Sequence, residues 1–307
     1  MRALVARRLD GPEAIELIET DVPEPAAGQV RIKVAAAAVN PVDVAVSTGV
    51  LVEFGLTAPR EQFGLGWDVA GTVDAVGPGT QARTKDAVIG VADLLAQTLK
   101  THAEYVVLDA DAVVRAPEGL DLTRASTFGL NGLTALQAVK ALPGETVLVT
   151  GAAGGVGGYA VELAKHAGQT VIASAAARDE ELVRRLGADH FIDRNEDLAA
   201  AVRRITPAGV DGVVDAAVVG IAAQEAVRNG GRHVHLQGGP RPPQLRGITV
   251  EQLFVHTNRD DLEELKRLVE AGVISTRVAE TYHLDEAANA YKRLAAGGVR
   301  GRLVLVP

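Results

Sequence analysis

Residues 149–168, VTGAAGGVGGYAVELAKHAG, run from an apolar strand through a glycine-rich turn into an amphipathic helix. Few turns constrain a fold as tightly. Gly151, Gly154 and Gly157 stand three apart between the strand and the helix, and Val156, Ala160, Leu163, Ala164 and Ala167 form the helix's apolar face. Glycine removes the side chains that would keep backbone N–H groups from a pyrophosphate, and a helix N-terminus adds a favourable partial charge. On its own such a run serves tight strand–helix packing equally well. Its place at the first strand of an alternating half makes it a dinucleotide site, with Gly151, Gly154, Gly155, Val156 and Gly157 as the cradle.

The alternation begins near residue 118. Apolar strands are expected at TVLVT (146–150), TVIAS (170–174), HFID (190–193), GVVDAA (212–217), HVHLQ (233–237) and LFVHT (253–257), with helices such as RDEELVRRLG and LAAAVRRIT between them. Strand–helix alternation with short links predicts a doubly wound parallel sheet. Before residue 118 the texture differs: VRIKVAAAAVN, GWDVAGTVDAVGPG, DAVIGVA and AEYVVLDADAVVRAP are short strands separated by Gly/Pro turns, the pattern of a β-barrel-like unit. The closing stretch holds a helix and a strand that the parallel sheet does not need, and it is read as returning to the N-terminal unit. The α/β chain thus divides into 1–117 with 265–307, and 118–264.

Composition excludes several classes of function. A chain of 307 residues with 47% hydrophobic and 23% charged residues is globular, and its net charge of −8 is wrong for a nucleic-acid binder. No apolar run reaches the roughly 18 residues of a membrane span. The start, MRALVARRLDGPEAIEL, lacks the apolar core of a secretory signal, so a cytoplasmic protein is expected. With no cysteine, disulfides, thiolate catalysis and cysteine-ligated metals are excluded.

The end of the second expected strand tests which dinucleotide is bound. An NAD site places a carboxylate about 20 residues beyond the glycines, on the ribose 2′-hydroxyl. Here Ser174 takes that place and Arg178 follows, a pair suited to a 2′-phosphate, so NADP(H) is favoured. Arg194, after the third strand, is read equally as an adenine- or phosphate-facing cation and as a solvated loop residue.

Taken in order, AVNPVDVAVSTG, GWDVAGTVDAVGPGT, FGLNGLTALQAV, LVTGAAGGVGGYAVELAKHAG, LVRRLGADHFID and LDEAANAYKRLAAGGVRGRLVLV resemble the medium-chain dehydrogenase/reductase superfamily. Within it, they resemble the zinc-independent quinone oxidoreductases. The resemblance implies a GroES-like β-barrel domain built from both chain ends, a central Rossmann domain, and a homodimer or higher homo-oligomer. It also implies that Asn40 and Thr134 lie at the nicotinamide, and that Phe254 and Val255 pack against that end of the cofactor. The plainer readings are a turn-fixing Asn40, a helix-interior hydroxyl for Thr134, and a core strand for Phe254 and Val255. Asp43 is read as tying down the Asn40 loop.

Zinc-dependent members carry a Cys in the block that reads NPVDV here, and a His-Glu pair in the block GLGWDVAG. This chain has Asn40-Pro41 and Trp67-Asp68 instead, so no metal ligand is assigned. His233 and His235 alternate on one strand face but lack a visible third ligand, and are read as a sheet-edge or interface pair. Arg241 and Arg246, in the loop QGGPRPPQLRG, are read as solvated or as meeting an anionic substrate. Asn40 does not titrate, and the stretch VAVSTGVLVEFG carries no phenol, which predicts an aliphatic pocket. Hydride transfer to a quinone is the leading expectation. Reduction of an enone or enoyl thioester is the alternative, and a non-enzymatic NADPH-binding scaffold or sensor is the third.

Overall fold

A computed structural model of the protein describes residues 1–236 and 238–307 and resolves them into two compact units. The first comprises Met1–Leu130, His256–Glu270 and Thr276–Pro307; the second comprises Asn131–Val255 and Ala271–Ser275.

The first unit is built around the long strand Gln29–Ala38. Its opening half alternates, with Val30, Ile32 and Val34 buried while Gln29, Arg31 and Lys33 are less so. Beyond Val34 small alanines allow burial on both faces, and the strand takes partners on either side. It pairs antiparallel with Asp68–Val76, Tyr105–Asp109 and the C-terminal strand Arg302–Val306. Val304 and Leu305 stand opposite Ala38 and Ala37, so the last strand does complete the N-terminal β unit. The sheet runs Val278–His283, Arg302–Val306, Gln29–Ala38, Asp68–Val76, Ala87–Val91 and Val113–Arg115. A smaller antiparallel sheet joins Ile15–Glu19, Arg2–Ala6 and Phe63–Gly64. Leu4, Val39, Phe63, Leu65, Tyr291 and Leu305 pack one of this unit's cores.

The second unit is the expected doubly wound sheet. Its strands lie in the order His190–Asp193, Thr170–Ala175, Thr146–Thr150, Val210–Asp215, Val227–His235 and Thr249–Gln252. Every neighbouring pair is parallel. This is the 3-2-1-4-5-6 order, which reverses direction beside the first strand and puts the ligand edge at the strands' carboxyl ends. Leu148, Ile172, Val202, Val213, Val227 and Val250 fill a core of this unit.

Three expectations shift. The fifth strand begins at Val227, because Gly230 takes φ +70° and lets the chain bulge and resume, so that Val210 pairs with Val227 and Gly212 with Arg232. Gln237, the last residue of the expected HVHLQ strand, lies outside the described residues. The sixth strand is Thr249–Gln252, and 253–257 is irregular. The units part at 130/131 and 255/256, not at 118 and 264. Residues 118–130 stay with the first unit because Leu130 N–H donates to Asp68 and Arg124 Nε donates to Thr276. Residues 256–270 join it through Thr257 N–H on Asp93 and Arg259 on Ala110 O.

Candidate active site

The glycine turn is built around backbone approach. Gly151 takes φ +61°, a left-handed conformation costly for other residues, and a Cβ there would meet Ala217 at 3.2 Å. A Cβ on Gly157 would lie 2.2 Å from Gly151 O, and one on Gly154 3.1 Å from the same oxygen. The helix Gly155–His166 begins against that carbonyl, with Gly154 as its N-cap. Gly158 N–H bonds Gly154 O, which leaves the amides of Gly155, Val156 and Gly157 pointing off the helix end. These outward amides at a helix N-terminus, brought in by close strand–helix packing, fit a dinucleotide's pyrophosphate.

At the end of the neighbouring strand Ser174 is buried, while Arg178 is exposed in the short turn Ala177–Asp179. Arg194 is exposed too, and its backbone N–H donates to Ala175 O at 2.8 Å, which ties its loop to the Ser174 strand end. Among the described residues neither guanidinium has an ion-pair partner. Their neighbours do: Arg184 pairs with Glu180, Arg185 with Glu181, Arg204 with Glu196 and Arg228 with Asp211.

In the first unit Asn40 is fully buried at the head of the helix Pro41–Ser47. Asp43 does tie the loop, accepting Asn40 N–H and Gly66 N–H at 2.8 Å each. The Asn40 amide is also held: Nδ2 donates to Asp68 Oδ2 at 2.9 Å and to Ala38 O at 3.2 Å, and Oδ1 accepts from Arg302. Arg302 only donates and the other two partners only accept, so the amide has one orientation. Burial pushes the Asp68 carboxyl up to about 6, against Arg302, Asn40 and the Leu130 N–H, which act to lower it.

Asp68, Arg302, Lys100 and His102 were not singled out from the sequence. His102 Nε2 faces Ala38 O at 3.2 Å, so it carries the hydrogen, and Nδ1 accepts from the Tyr291 hydroxyl at 2.9 Å. Lys100 lies 3.5 Å over the centre of the Trp67 ring, and burial lowers its ammonium to about 7. Nothing local marks the Lys100-Thr101-His102 run as interior.

The donor atoms of Asn40 and Asp68 are thus already bonded to Arg302, Ala38 and Leu130, and this block does not fit the catalytic zinc of alcohol dehydrogenases.

Thr134 is half-buried within the helix Gly129–Ala141. Phe254 and Val255 do not form the core strand of the plainer reading, and Phe254 is 60% exposed. Arg241 donates to Val250 O, and Arg246 donates to Val227 O at 3.0 Å and Gln224 O at 2.8 Å, so both guanidinium groups brace backbone. His233 and His235 are fully buried on an interior strand, not at a sheet edge, and Asp215 on the adjoining strand supplies the third donor that the sequence reading lacked.

Comparisons with known proteins agree with this architecture. The family described as "Alcohol dehydrogenase GroES-like domain" matches residues 26–118, and "Zinc-binding dehydrogenase" matches residues 186–305. A 2-haloacrylate reductase from a Burkholderia species is 31% identical, over 99% of this chain and 98% of its own. A chloroplast envelope quinone oxidoreductase homolog of Arabidopsis thaliana is 29% identical, over 97% and 95%. Among solved structures, an NAD-dependent alcohol dehydrogenase is 31% identical with a TM-score of 0.88, and a mycobacterial protein complexed with NADPH is 28% identical with a TM-score of 0.87. Each covers 100% of both chains. No described helix is long and apolar enough to cross a membrane. The chain is an oxidoreductase with a nicotinamide-cofactor site, and it belongs to the quinone oxidoreductase branch of the medium-chain dehydrogenase/reductase superfamily.

Proposed function

We propose that the protein is an NADPH-dependent reductase that passes hydride to a quinone without a catalytic metal. The observation that carries the cofactor choice is the pair of exposed guanidinium groups, Arg178 and Arg194, without an ion-pair partner among the described residues, near the strand end where Ser174 replaces the carboxylate of an NAD site. NADPH, when bound, supplies a hydride from its nicotinamide. In this reading the amides of Gly155, Val156 and Gly157 hold the pyrophosphate, with Gly151 and Gly154 keeping the approach open. Ser174, Arg178 and Arg194 hold the 2′-phosphate. Thr134 orients the nicotinamide, and Phe254 and Val255 exclude water from that end of it. Asn40 is the fixed amide of the catalytic residues. Its two N–H groups are held by Ala38 and Asp68, so it acts by exchanging one of those bonds for a ligand.

A quinone suits a site whose Asn40 does not titrate, because charge delocalises over the ring and solvent can deliver protons after hydride transfer. Similarity to a 2-haloacrylate reductase favours a second reading, reduction of a carbon–carbon double bond conjugated to a carbonyl or carboxylate. The protein is proposed to work in the cytoplasm as a homodimer or higher homo-oligomer.

The test is the initial rate of NADPH and NADH oxidation across quinones, enones, 2-haloacrylates and enoyl thioesters. Preference for NADPH with quinones supports the leading reading, and a preference for conjugated double bonds selects the second. Tight NADPH binding without turnover of any acceptor would leave a scaffold or sensor and overturn both.

A further inference from the structure

The buried histidine pair of the second unit has an electrostatic problem that a proton or a metal ion must solve. His235 stands beside Asp215 in the parallel register of their strands, and His233, two residues earlier, shares its face. All three side chains are fully buried. His235 Nε2 faces Gly239 O at 3.3 Å. A carbonyl only accepts, so Nε2 carries the hydrogen and Nδ1 presents a bare lone pair. That lone pair points at Asp215 Oδ2, 3.6 Å away, while His233 Nε2 lies 3.4 Å from the same oxygen. These separations exceed ordinary hydrogen bonds. Among the described residues, both His233 nitrogens and His235 Nδ1 are buried without a hydrogen-bond partner.

The separations match metal coordination better. Tetrahedral bonds of roughly 2.0–2.2 Å put neighbouring ligand atoms about 3.4 Å apart. One donor atom from each of Asp215, His233 and His235 lies within 4.8 Å of the others. The ligands also have the outer support that metal sites need. Asp215 accepts from Thr150 Oγ1 at 2.7 Å, Val219 N–H at 3.0 Å and Gly220 N–H at 2.8 Å, and Gly239 O orients His235.

We propose that Asp215, His233 and His235 form a structural site for a divalent transition metal of the zinc class. Two imidazoles and one carboxylate select such an ion over the hard, oxygen-preferring magnesium and calcium. The site is distinct from the NPVDV and GLGWDVAG blocks, where zinc dehydrogenases of this superfamily hold theirs. Its enclosure suits bracing, not catalysis. Asp215 grips the backbone of 219–220 and His235 that of Gly239, so an ion here locks the turns following two central strands, at the ligand edge of the sheet.

The test uses the full-length protein, stripped with a chelator, dialysed and titrated with Co²⁺ and then with Zn²⁺. The expected result is one ion per chain, the visible absorption of tetrahedral Co²⁺, its displacement by Zn²⁺, and a rise in unfolding temperature on binding. His233→Leu and His235→Leu, checked for folding by circular dichroism, should each weaken Co²⁺ binding by at least about 100-fold, since losing even an outer partner costs about 10–100-fold. No Co²⁺ absorption with the wild type at micromolar protein would overturn the site, as would binding that both leucine variants retain. A histidine proton signal showing both rings as imidazolium in the stripped, metal-refractory protein would assign the charge to protons instead. None of these readouts depends on NADPH turnover, so the proposal stands or falls apart from the proposed reaction.

Discussion

Lys100 offers a quantitative test of how this protein tolerates a buried charge. Its ammonium is 3% exposed and burial lowers it from 10.5 to about 7, while Asp43 and Asp93 act to raise it. Below pH 7 the ammonium is charged in both states, and the folded protein bears the full cost of having taken it out of water. Above about pH 10.5 it is neutral in both, and the cost vanishes. In between, the unfolded chain binds the extra proton, so this group makes stability rise with pH. Each pKa unit is worth about 1.4 kcal/mol, so the drop to about 7 corresponds to about 5 kcal/mol at low pH. Lys100→Met keeps the volume and removes the charge, and Asp43 keeps its bonds to Asn40 and Gly66. The variant should therefore be more stable than the wild type by about 5 kcal/mol near pH 6, and the gap should nearly close by about pH 10. Trp67 is the chain's one tryptophan, so its fluorescence in urea titrations reports this unit's unfolding directly. A gap that stays constant across that range, or a wild type more stable than the variant at pH 6, would refute the reasoning.

Five further substitutions, at four positions, probe the proposed site. Arg178→Ala should raise the NADPH dissociation constant about tenfold or more and leave NADH nearly unchanged, because a charge-assisted contact is worth about 1.5–3 kcal/mol; calorimetric titration with both cofactors checks it, and equal effects would detach Arg178 from the phosphate. Asn40→Ala should lower turnover about 10- to 100-fold with the pH profile unchanged in shape, and Asn40→Asp should do more harm; a variant that merely melts earlier while turning over normally would reduce Asn40 to a structural role. Gly157→Ala places a methyl 2.2 Å from Gly151 O, so it should cost about 1–3 kcal/mol of stability and abolish measurable NADPH binding. Gly154→Ala, at 3.1 Å from the same oxygen, should be milder in both thermal melts and binding.

What was legible in the sequence was what rests on local spacing. The glycine turn and the strand–helix alternation follow from period and turn chemistry within short windows, whereas the return of the C-terminal strand was read only from the parallel sheet having no need of it. The start of the strand Val227–His235 was hidden, because Asn229-Gly230-Gly231 reads as a turn while the sheet absorbs it as a bulge. The unit boundary at 130/131 was hidden inside a helix, where composition does not change. The least legible features join residues far apart in the chain. Arg302 reaches Asn40 across 262 positions, and Asp215 meets His233 and His235 only because the strand order makes neighbours of them. A lone His-x-His pattern says nothing about which carboxylate the next strand will bring.

The pairing of Arg302–Val306 with Gln29–Ala38 also sets a schedule for biosynthesis. A ribosome that has finished residues 131–255 has made nearly all of the second unit, whose parallel sheet can form as soon as that stretch emerges. The first unit, begun earlier, must wait with the Ala37–Ala38 end of its long strand short of one partner until residues 302–306 appear. At about 5–20 residues per second the delay is on the order of ten seconds or more. During that interval the alanine-rich end of Gln29–Ala38 is an open strand edge able to recruit another nascent chain. Release of the C-terminal strand is therefore the event that closes this edge and brings Arg302 to the Asn40 amide.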